Sequence, residues 1–341
     1  MTNQLQQGRS LSAEQVEEAV GLLIREDTPA GVKAEFLSAL ARKGETTEEI
    51  AAFARELRAR AVEPPLDAET RAREILDVCG TGGDRLNTFN ISTTVALIVA
   101  AAGVTVAKHG NRAITSQSGS ADVLEALGIP VDLTPEQAAR SLKEHRFAFF
   151  FAPRFHPAFK HIGPARKLCA ERGQRTIFNF LGPLLNPARP TAQLIGVPRP
   201  ELCEPLARVL QSLGVRRGMV VSGKVGAAFL DELSTLGENT MAEFYQDHGF
   251  HACVVPPTGF PLQPATLADL TGGDREANAE IVRQILRGKE RGPKRDAVLL
   301  NAGAALFVAG KSRSMAKGWE LAAQIIDGGK AEAKLIELSA S

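Results

Sequence analysis

The sequence predicts a small all-helical module followed by an α/β domain with a mainly parallel central sheet. Three observations lead there. Residues 1–62 carry apolar residues at helical spacing, with cap signals and no strand-like run. From residue 74 short apolar runs alternate with amphipathic stretches, the pattern of successive βα units. At 157–186 that alternation is interrupted by a basic helical segment, PAFKHIGPARKLCAERG, and a turn-rich coil, FNFLGPLLNP.

Taken in order, Val16, Val20 and Ile24 recur on one helical face. Ser12 with Gln15, and Thr46 with Glu49, have capping-box spacing. Thr28-Pro29 reads as a cap followed by a proline at the first helical position, and AVEPPLDAET at 61–70 reads as a linker. Strands are expected at EILDVC, GVTVAKH, RFAFFFA, TAQLIGV, GMVVSG and HACVV. Between several of them NISTTVALIVAAAG, SADVLEALG, TPEQAARSLKEH and PELCEPLARVLQSLG read as helices, and the chain is helical again from 275.

The length of 341 residues suits two domains of about 150 residues each. A composition 44% hydrophobic and 23% charged excludes disorder and collagen-like order. Cys79, Cys169, Cys203 and Cys253 form no CxxC pair, which argues against a disulfide scaffold or zinc ribbon and fits a reducing compartment. The start, MTNQLQQGRSLSAEQ, lacks the apolar stretch of a signal peptide. The longest apolar run, 95–107, falls short of the roughly 20 residues a membrane span needs. A cytoplasmic protein without a membrane partner is expected. Forty Lys and Arg against 39 Asp and Glu leave a charge of +1, which speaks against a nucleic-acid partner. Residues 131–200 nevertheless hold 11 Lys and Arg against 4 acids. They form either a surface for an anionic substrate or a plain solvated face.

The sharpest local feature is DVCGTGGDRLNTFNIST at 77–93. An apolar strand ends at Cys79, a turn of Gly80, Gly82 and Gly83 follows, and Asn90-Ile91-Ser92-Thr93 opens a helix. Glycines admit close approach of backbone N–H groups and a helix start adds positive potential, so the geometry suits a phosphate. TGGD recurs at 271–274, where Asp274 most simply caps the helix REANAEIVRQIL. GTGGDR is not GxGxxG, and Gly310-Lys311-Ser312 has Ala305 where a P-loop needs its first glycine. The next strand ends in Lys108-His109-Gly110-Asn111-Arg112, followed by AITSQSGSAD, a second anion cradle at a strand's C-terminal edge. Asp231-Glu232 follows GMVVSG and a small-residue loop, KVGAAF. Adjacent loop carboxylates can hold Mg²⁺ together with waters and substrate phosphates, or form an ordinary acidic turn.

GTGGD…NTFNIST, KHGNR, SGSADVLEALGI, FHPAFKHIGPAR, RTIFNFLGPLLNP, DELS and GGDREANAEI…RDAVLLNAGAAL occur in this order from about residue 11 to 327. In this the chain resembles the anthranilate phosphoribosyltransferases of tryptophan biosynthesis; KHGNR with FNxLGPLxNP is highly specific, GTGGD alone is not. The resemblance implies the nucleoside phosphorylase/phosphoribosyltransferase-like fold. It divides the chain into a small helical domain, 1–70 plus 157–188, and a large α/β domain, 71–156 plus 189–341, with the active site in the cleft between them. It implies transfer of phosphoribose from 5-phosphoribosyl 1-pyrophosphate (PRPP) to the anthranilate amine by a Mg²⁺-dependent homodimer, with inversion at C1 and release of pyrophosphate.

By the same resemblance Gly80, Gly83, Asp84, Thr88, Asn90, Ser92, Thr93, Lys108, His109, Gly110, Asn111, Arg112, Ser116 and Ser120 bind PRPP. Ser92, Asp231 and Glu232 hold Mg²⁺. Gly80, Asn111 and Arg166 line the anthranilate path, with Arg166 facing the carboxylate. No nucleophile or base is assigned, because the aromatic amine is already neutral; catalysis then rests on positioning and charge stabilisation. The chain departs from the common pattern at Arg85, where many members have Gly, and at Gln117, where Lys is common. The stretch CAERGQ is also about three residues longer than usual. The rival readings are a pyrimidine nucleoside phosphorylase-like enzyme and a non-catalytic nucleic-acid-binding relative; Asp231-Glu232 and KHGNR speak against the first, the near-zero charge against the second.

Overall fold

The computed structural model describes residues 1–113, 117–246 and 249–340. The N-terminal segment folds as helices Thr2–Gln6, Ala13–Ile24, Ala30–Lys43 and Thr47–Ala59. Both capping boxes form: Ser12 accepts from Gln15 N and Thr46 from Glu49 N, while the Gln15 and Glu49 side chains return to the N-cap amides. The third start is shifted from the expected one. Pro29 is extended (ψ 138) and takes the N-cap itself, so the Thr28 hydroxyl stands one residue too early and no side chain caps that helix. The linker also ends sooner than expected, because Asp67 accepts from Thr70 N at 2.8 Å and caps a short helix, Ala68–Ala72.

The sheet has eight strands: β1 Ile75–Gly80, β2 Thr105–Gly110, β3 Phe147–Phe151, β4 Ala192–Gly196, β5 Arg217–Val225, β6 Ala228–Leu230, β7 Asn239–Tyr245 and β8 Gly249–Val255. Their order is β3-β2-β1-β4-β5-β7-β8, with β6 paired to β5. Strands β1 to β5 are mutually parallel, β6 and β7 pair antiparallel with β5, and β8 pairs antiparallel with β7. Every expected strand is present, and two more join them. KVGAAF is no loop but the β5–β6 hairpin, turning at Gly226 (φ 59). NTMAEFY is β7, which sends Met241 into the core on one face and Ala242 and Phe244 into the core on the other, with half-buried Thr240, Glu243 and Tyr245 interspersed.

One face of the sheet is covered by helices Ile91–Ala101, Arg275–Leu286, Pro293–Val308 and Met315–Asp327, packed on Val78, Val106, Leu194 and Val221. On the other face Ile195, Val220 and Phe244 share a core with helix Cys203–Ser212 and the N-terminal helices. The interrupting segment joins that second core. It forms the 3-10 turn Pro157–His161, helix Gly163–Glu171, and short helical turns Phe178–Leu181 and Gly182–Leu185 where coil was expected. Its Ile162, Cys169, Ile177 and Leu184 pack with Val16, Leu37 and Phe53. Buried polar ties reinforce this: Lys33 Nζ donates to His161 O at 2.9 Å, and the Arg58 guanidinium donates to Leu184 O. Ala305 lies inside helix Pro293–Val308, so Gly310-Lys311-Ser312 follows a helix end and the P-loop reading fails.

Strand order runs outward from β1 to β2 and β3 on one side and from β4 to β5 on the other. The direction of winding therefore reverses between β1 and β4. In parallel α/β sheets the crevice beyond the strand C-termini at such a point is where ligands bind.

Candidate active site

Gly80 ends β1 and Gly196 ends β4, side by side in the ladder. Across both lies the loop that begins at Asp231. A Cβ on Gly80 would overlap the Asp231 carboxylate, and one on Gly196 its backbone. Both positions are glycine because the loop occupies the space of a side chain. The turn after β1 uses a different property. Gly82 and Gly83 have φ of 75 and 86, a region other residues enter at a cost, and their Cβ positions are open. Arg85, which departs from the family pattern, takes φ 61 and so keeps the left-handed backbone a glycine would adopt there.

The carboxylates of the 231–232 loop grip the first cradle. Gly82 N donates to Asp231 Oδ2 at 2.7 Å, and Ser92 N, in the first turn of the helix, donates to Glu232 Oε1 at 3.1 Å. Lys108 Nζ donates to Val78 O at 2.7 Å and stands 3.4 Å from Ser92 Oγ, fully buried and drawn electrostatically to Glu232. Burial, with Asp84 and Glu232 close by, pushes the Asp231 carboxyl well above the usual range. Burial raises Glu232 to about 7, with Lys108 opposing. A buried cluster of like charge calls for a cation, and an all-oxygen donor set suits hard Mg²⁺. Among the described residues no three His, Cys, Asp or Glu side chains form a ready-made cage. Waters and substrate oxygens would complete the sphere, as is usual for Mg²⁺.

The second cradle closes on its own helix start. Asn111 O accepts from Ser120 Oγ at 3.3 Å, and Asp122 accepts from the amides of Ala113 and Gly119 at 2.9 Å. Gly110 admits no Cβ because Ser120 and Phe149 already fill that place. The Arg112 guanidinium is held by Glu125 and Asp122, bracing the loop. Thr93 is buried in the helix, and Ser116 lies outside the described residues. Asn90 spans the two cradles: its Nδ2 donates to Ser118 O at 3.4 Å and its Oδ1 accepts from Asn278 Nδ2 at 2.9 Å.

Strand alternation parts the KH dipeptide. Lys108 points toward Ser92, whereas His109 points to the other face, where its Nδ1 lies 3.2 Å from Gly182 O. There a row of rings leads into the inserted segment. His109 meets His156 edge-on at 5.3 Å, His156 stacks on Phe159 at 4.9 Å, and Phe159 meets Phe178 at 5.8 Å. Arg166 lies over Phe178 at 5.6 Å. Burial lowers the Arg166 pKa, and no carboxylate among the described residues pairs with it. Burial likewise holds His109 down to about 3 and His156 to about 4, so both rings are neutral at pH 7. Neither His156 nor the aromatics Phe159 and Phe178 are among the expected site residues. Both aromatics stand in quoted motifs, but nothing local marks a ring as site-facing rather than core.

The second TGGD caps as expected, with Asp274 accepting from Ala277 N, but it also braces the first copy. Thr88 bridges Thr271, Gly272 N donates to Asn87 O at 2.9 Å, and Phe89 N donates to Leu270 O at 3.2 Å.

Comparison with known proteins agrees with this fold. Residues 1–61 match the helical bundle domain and residues 72–332 the a/b domain of a glycosyl transferase family. The anthranilate phosphoribosyltransferase of Geobacter sp. (strain M21) is 50% identical over 92% of this chain and 89% of its own. That of Symbiobacterium thermophilum is 48% identical over 97% and 94%. Among solved structures, the anthranilate phosphoribosyltransferase of Thermus thermophilus superposes with a TM-score of 0.89 at 42% identity, covering 99% of this chain and 98% of that one. The Saccharomyces cerevisiae enzyme in complex with PRPP and Mg superposes at 0.87 with 27% identity, over 99% and 96%.

Proposed function

The chain belongs to the anthranilate phosphoribosyltransferase family, and from that premise we propose which residues carry each part of its reaction. The reaction itself joins the phosphoribosyl group of PRPP to the amine of anthranilate and releases pyrophosphate, with Mg²⁺ as cofactor, in tryptophan biosynthesis.

Asp231, Glu232 and Ser92 hold the metal, and the observation that carries this is the docking of both carboxylates onto the amides of the first cradle. The chemistry Mg²⁺ supplies when bound is neutralisation of charge on the leaving pyrophosphate. Gly80, Gly83, Asp84, Thr88, Asn90, Ser92, Thr93, Lys108, Gly110, Asn111, Arg112, Ser116 and Ser120 form the PRPP site, and His109, whose side chain points to the other face, joins them through its backbone alone. Within the site Lys108 supplies positive charge and the helix starts at Ile91 and Ser120 add the positive potential of their dipoles. Anthranilate enters past Gly80 and Asn111, its carboxylate meeting Arg166 and its ring meeting the aromatic row. The amine is already neutral, so acceleration comes from holding it against the ribosyl centre and stabilising the separating charge. Consumption of anthranilate fluorescence, requiring both PRPP and Mg²⁺, tests this directly. Release of a free base that depends on inorganic phosphate instead would indicate a phosphorylase.

We propose the domain division 1–70 with 157–188, and 71–156 with 189–341. The shared core of Ile162, Cys169 and Leu184 with the N-terminal helices supports it. The protein is proposed to act as a cytoplasmic homodimer. Its four cysteines are free, and no helix among the described residues is long and apolar enough to cross a membrane. Leu22 and Val32 are exposed on the first helices, where a second copy would cover them. Sedimentation equilibrium tests the dimer.

A further inference from the structure

The motif GGDREANAEI…RDAVLLNAGAAL supplies none of the proposed ligands, yet its Asn301 reaches the residue next to the metal pair. Asn301 is 1% exposed, inside helix Pro293–Val308. Its Oδ1 accepts from Leu233 N at 2.9 Å, and its Nδ2 donates to Leu233 O at 3.0 Å and to Ala297 O at 2.9 Å. One side chain thus holds both backbone groups of the residue that follows Glu232. The next residue is held in the same manner from the sheet. Asn239 in β7 accepts from Ser234 N at 2.7 Å and donates to Ser234 O at 3.0 Å.

Two successive residues, each gripped at N–H and C=O by a buried amide, fix the register of the loop. A slip by one residue would break four of these bonds inside the protein, where lost partners are not replaced by water. The same slip would carry Asp231 and Glu232 away from the amides of Gly82 and Ser92. Helix packing alone does not require Asn301. Its neighbours Leu299, Leu300, Ala302 and Ala304 are buried and apolar, and a buried amide among them is tolerated only because its hydrogen bonds are made.

We propose that Asn301 is a positioning residue for the metal-binding pair, setting the register from which Asp231 and Glu232 present their oxygens. This rests on the reading of that pair as the Mg²⁺ carboxylates. Side chains that orient metal ligands without touching the metal are worth about 10- to 100-fold in metal affinity. The test is calorimetric binding of PRPP across a series of Mg²⁺ concentrations, for wild type, N301S and D231N. N301S keeps a hydroxyl to bond Ala297 O but is too short to span Leu233. The Mg²⁺ concentration for half-maximal PRPP binding is expected to rise about 10- to 100-fold in N301S, with the anthranilate KM unmoved and the turnover loss recovered at high Mg²⁺. A merely structural Asn301 would lower the melting temperature and leave the Mg²⁺ midpoint alone, which overturns the proposal. D231N separates the two levels. If its midpoint equals wild type, the metal reading fails and this proposal with it; if D231N shifts and N301S does not, only the positioning role fails. Should N301S not fold, N301D fills the same volume and keeps the acceptor for Leu233 N. The same shift is expected of it, and the same absence of shift is decisive.

Discussion

Gly82 donates its backbone N–H to Asp231 Oδ2 at 2.7 Å, joining the turn after β1 to a loop 149 residues further along the chain. One carboxylate therefore both organises the glycine turn and contributes to the proposed metal site. The two roles come apart by substitution. D231N keeps an oxygen for Gly82 N but loses the charge, and activity should fall at least about tenfold with a raised Mg²⁺ requirement. E232Q should behave alike. Because Asp231 is crowded by Asp84 and Glu232, removing its charge should leave the metal-free protein's melting temperature unchanged or higher. Wild-type rates and Mg²⁺ dependence in both variants would mean the pair is an ordinary acidic turn.

The glycines of the turn should fail in different ways. In G80A the new methyl would occupy the place of the Asp231 carboxylate, so the Mg²⁺ requirement should rise. In G83A nothing stands in the methyl's way, but the backbone at φ 86 is strained for alanine. That strain is about 1–2 kcal/mol, or roughly 5- to 30-fold in PRPP affinity if the turn relaxes to relieve it. Calorimetry with PRPP at limiting and saturating Mg²⁺ distinguishes them: high Mg²⁺ should rescue G80A and not G83A. Identical responses would refute the separate roles.

Why some of this was legible in the sequence and some was not has a physical basis. The glycine turn, KHGNR and the paired carboxylates are local: the chemistry and its backbone lie within a few residues. β1 to β5 were readable because strands covered on both faces carry near-continuous apolar runs, into which Asp77, Lys108 and Gln193 are set as buried polar residues. β7 escaped because Thr240, Glu243 and Tyr245 interrupt its buried residues and leave neither an apolar run nor a clean alternation. The β5–β6 hairpin escaped because KVGAAF carries a glycine turn but no apolar run. Asn278 and Asn301 were quoted within motifs yet given no role. Their partners Asn90 and Leu233 lie 188 and 68 residues away, and an asparagine in a helix looks the same whether it faces water or a buried backbone. Thr28 shows the opposite error, a good local cap signal displaced by one residue of extended proline.

The buried histidines predict a pH dependence of stability. His109 and His156 titrate at about 3 and about 4 in the folded protein, against 6.5 ordinarily. The unfolded chain takes up protons that the folded chain refuses. The stability these rings allow is fully present above pH 6.5 and is lost as pH falls toward those lower values. Each contributes a slope of up to about 1.4 kcal/mol per pH unit. Asp77, raised by burial to about 6 from 3.8, works in the opposite sense below pH 6, where the folded state gains a proton first. Glu232, raised to about 7 from 4.5, and Asp231, also raised, oppose the histidines in the same window, so the histidine contribution is read as the difference in slope between wild type and H156Q. Urea unfolding at pH 7.5, 6.5 and 5.5 should show it, and H156Q should lower the slope by about one proton. An unaltered slope in H156Q would contradict the assignment.

Arg166 gives the sharpest test of substrate choice. Its guanidinium lies over Phe178 at 5.6 Å, half-buried, and no carboxylate among the described residues neutralises it. An arginine that merely braced its helix would be paired within the protein; this one stands at the end of an aromatic row with no acidic partner. The guanidinium can grip a carboxylate through two parallel hydrogen bonds, which an ammonium cannot reproduce. Losing that grip should cost about 2–3 kcal/mol, a rise of roughly 30- to 150-fold in the anthranilate KM of R166A. R166K should recover only part of it. The PRPP KM should move far less, since that substrate is held from the strand ends by Lys108, the two helix starts and the metal pair. Melting temperature should stay within about 3 °C of wild type, because removing an unpaired, half-buried charge relieves desolvation about as much as the lost cation–π contact weakens packing. Steady-state kinetics with each substrate varied in turn decides the matter: equal rises in both KM values, with a clear fall in melting temperature, would make Arg166 a structural brace.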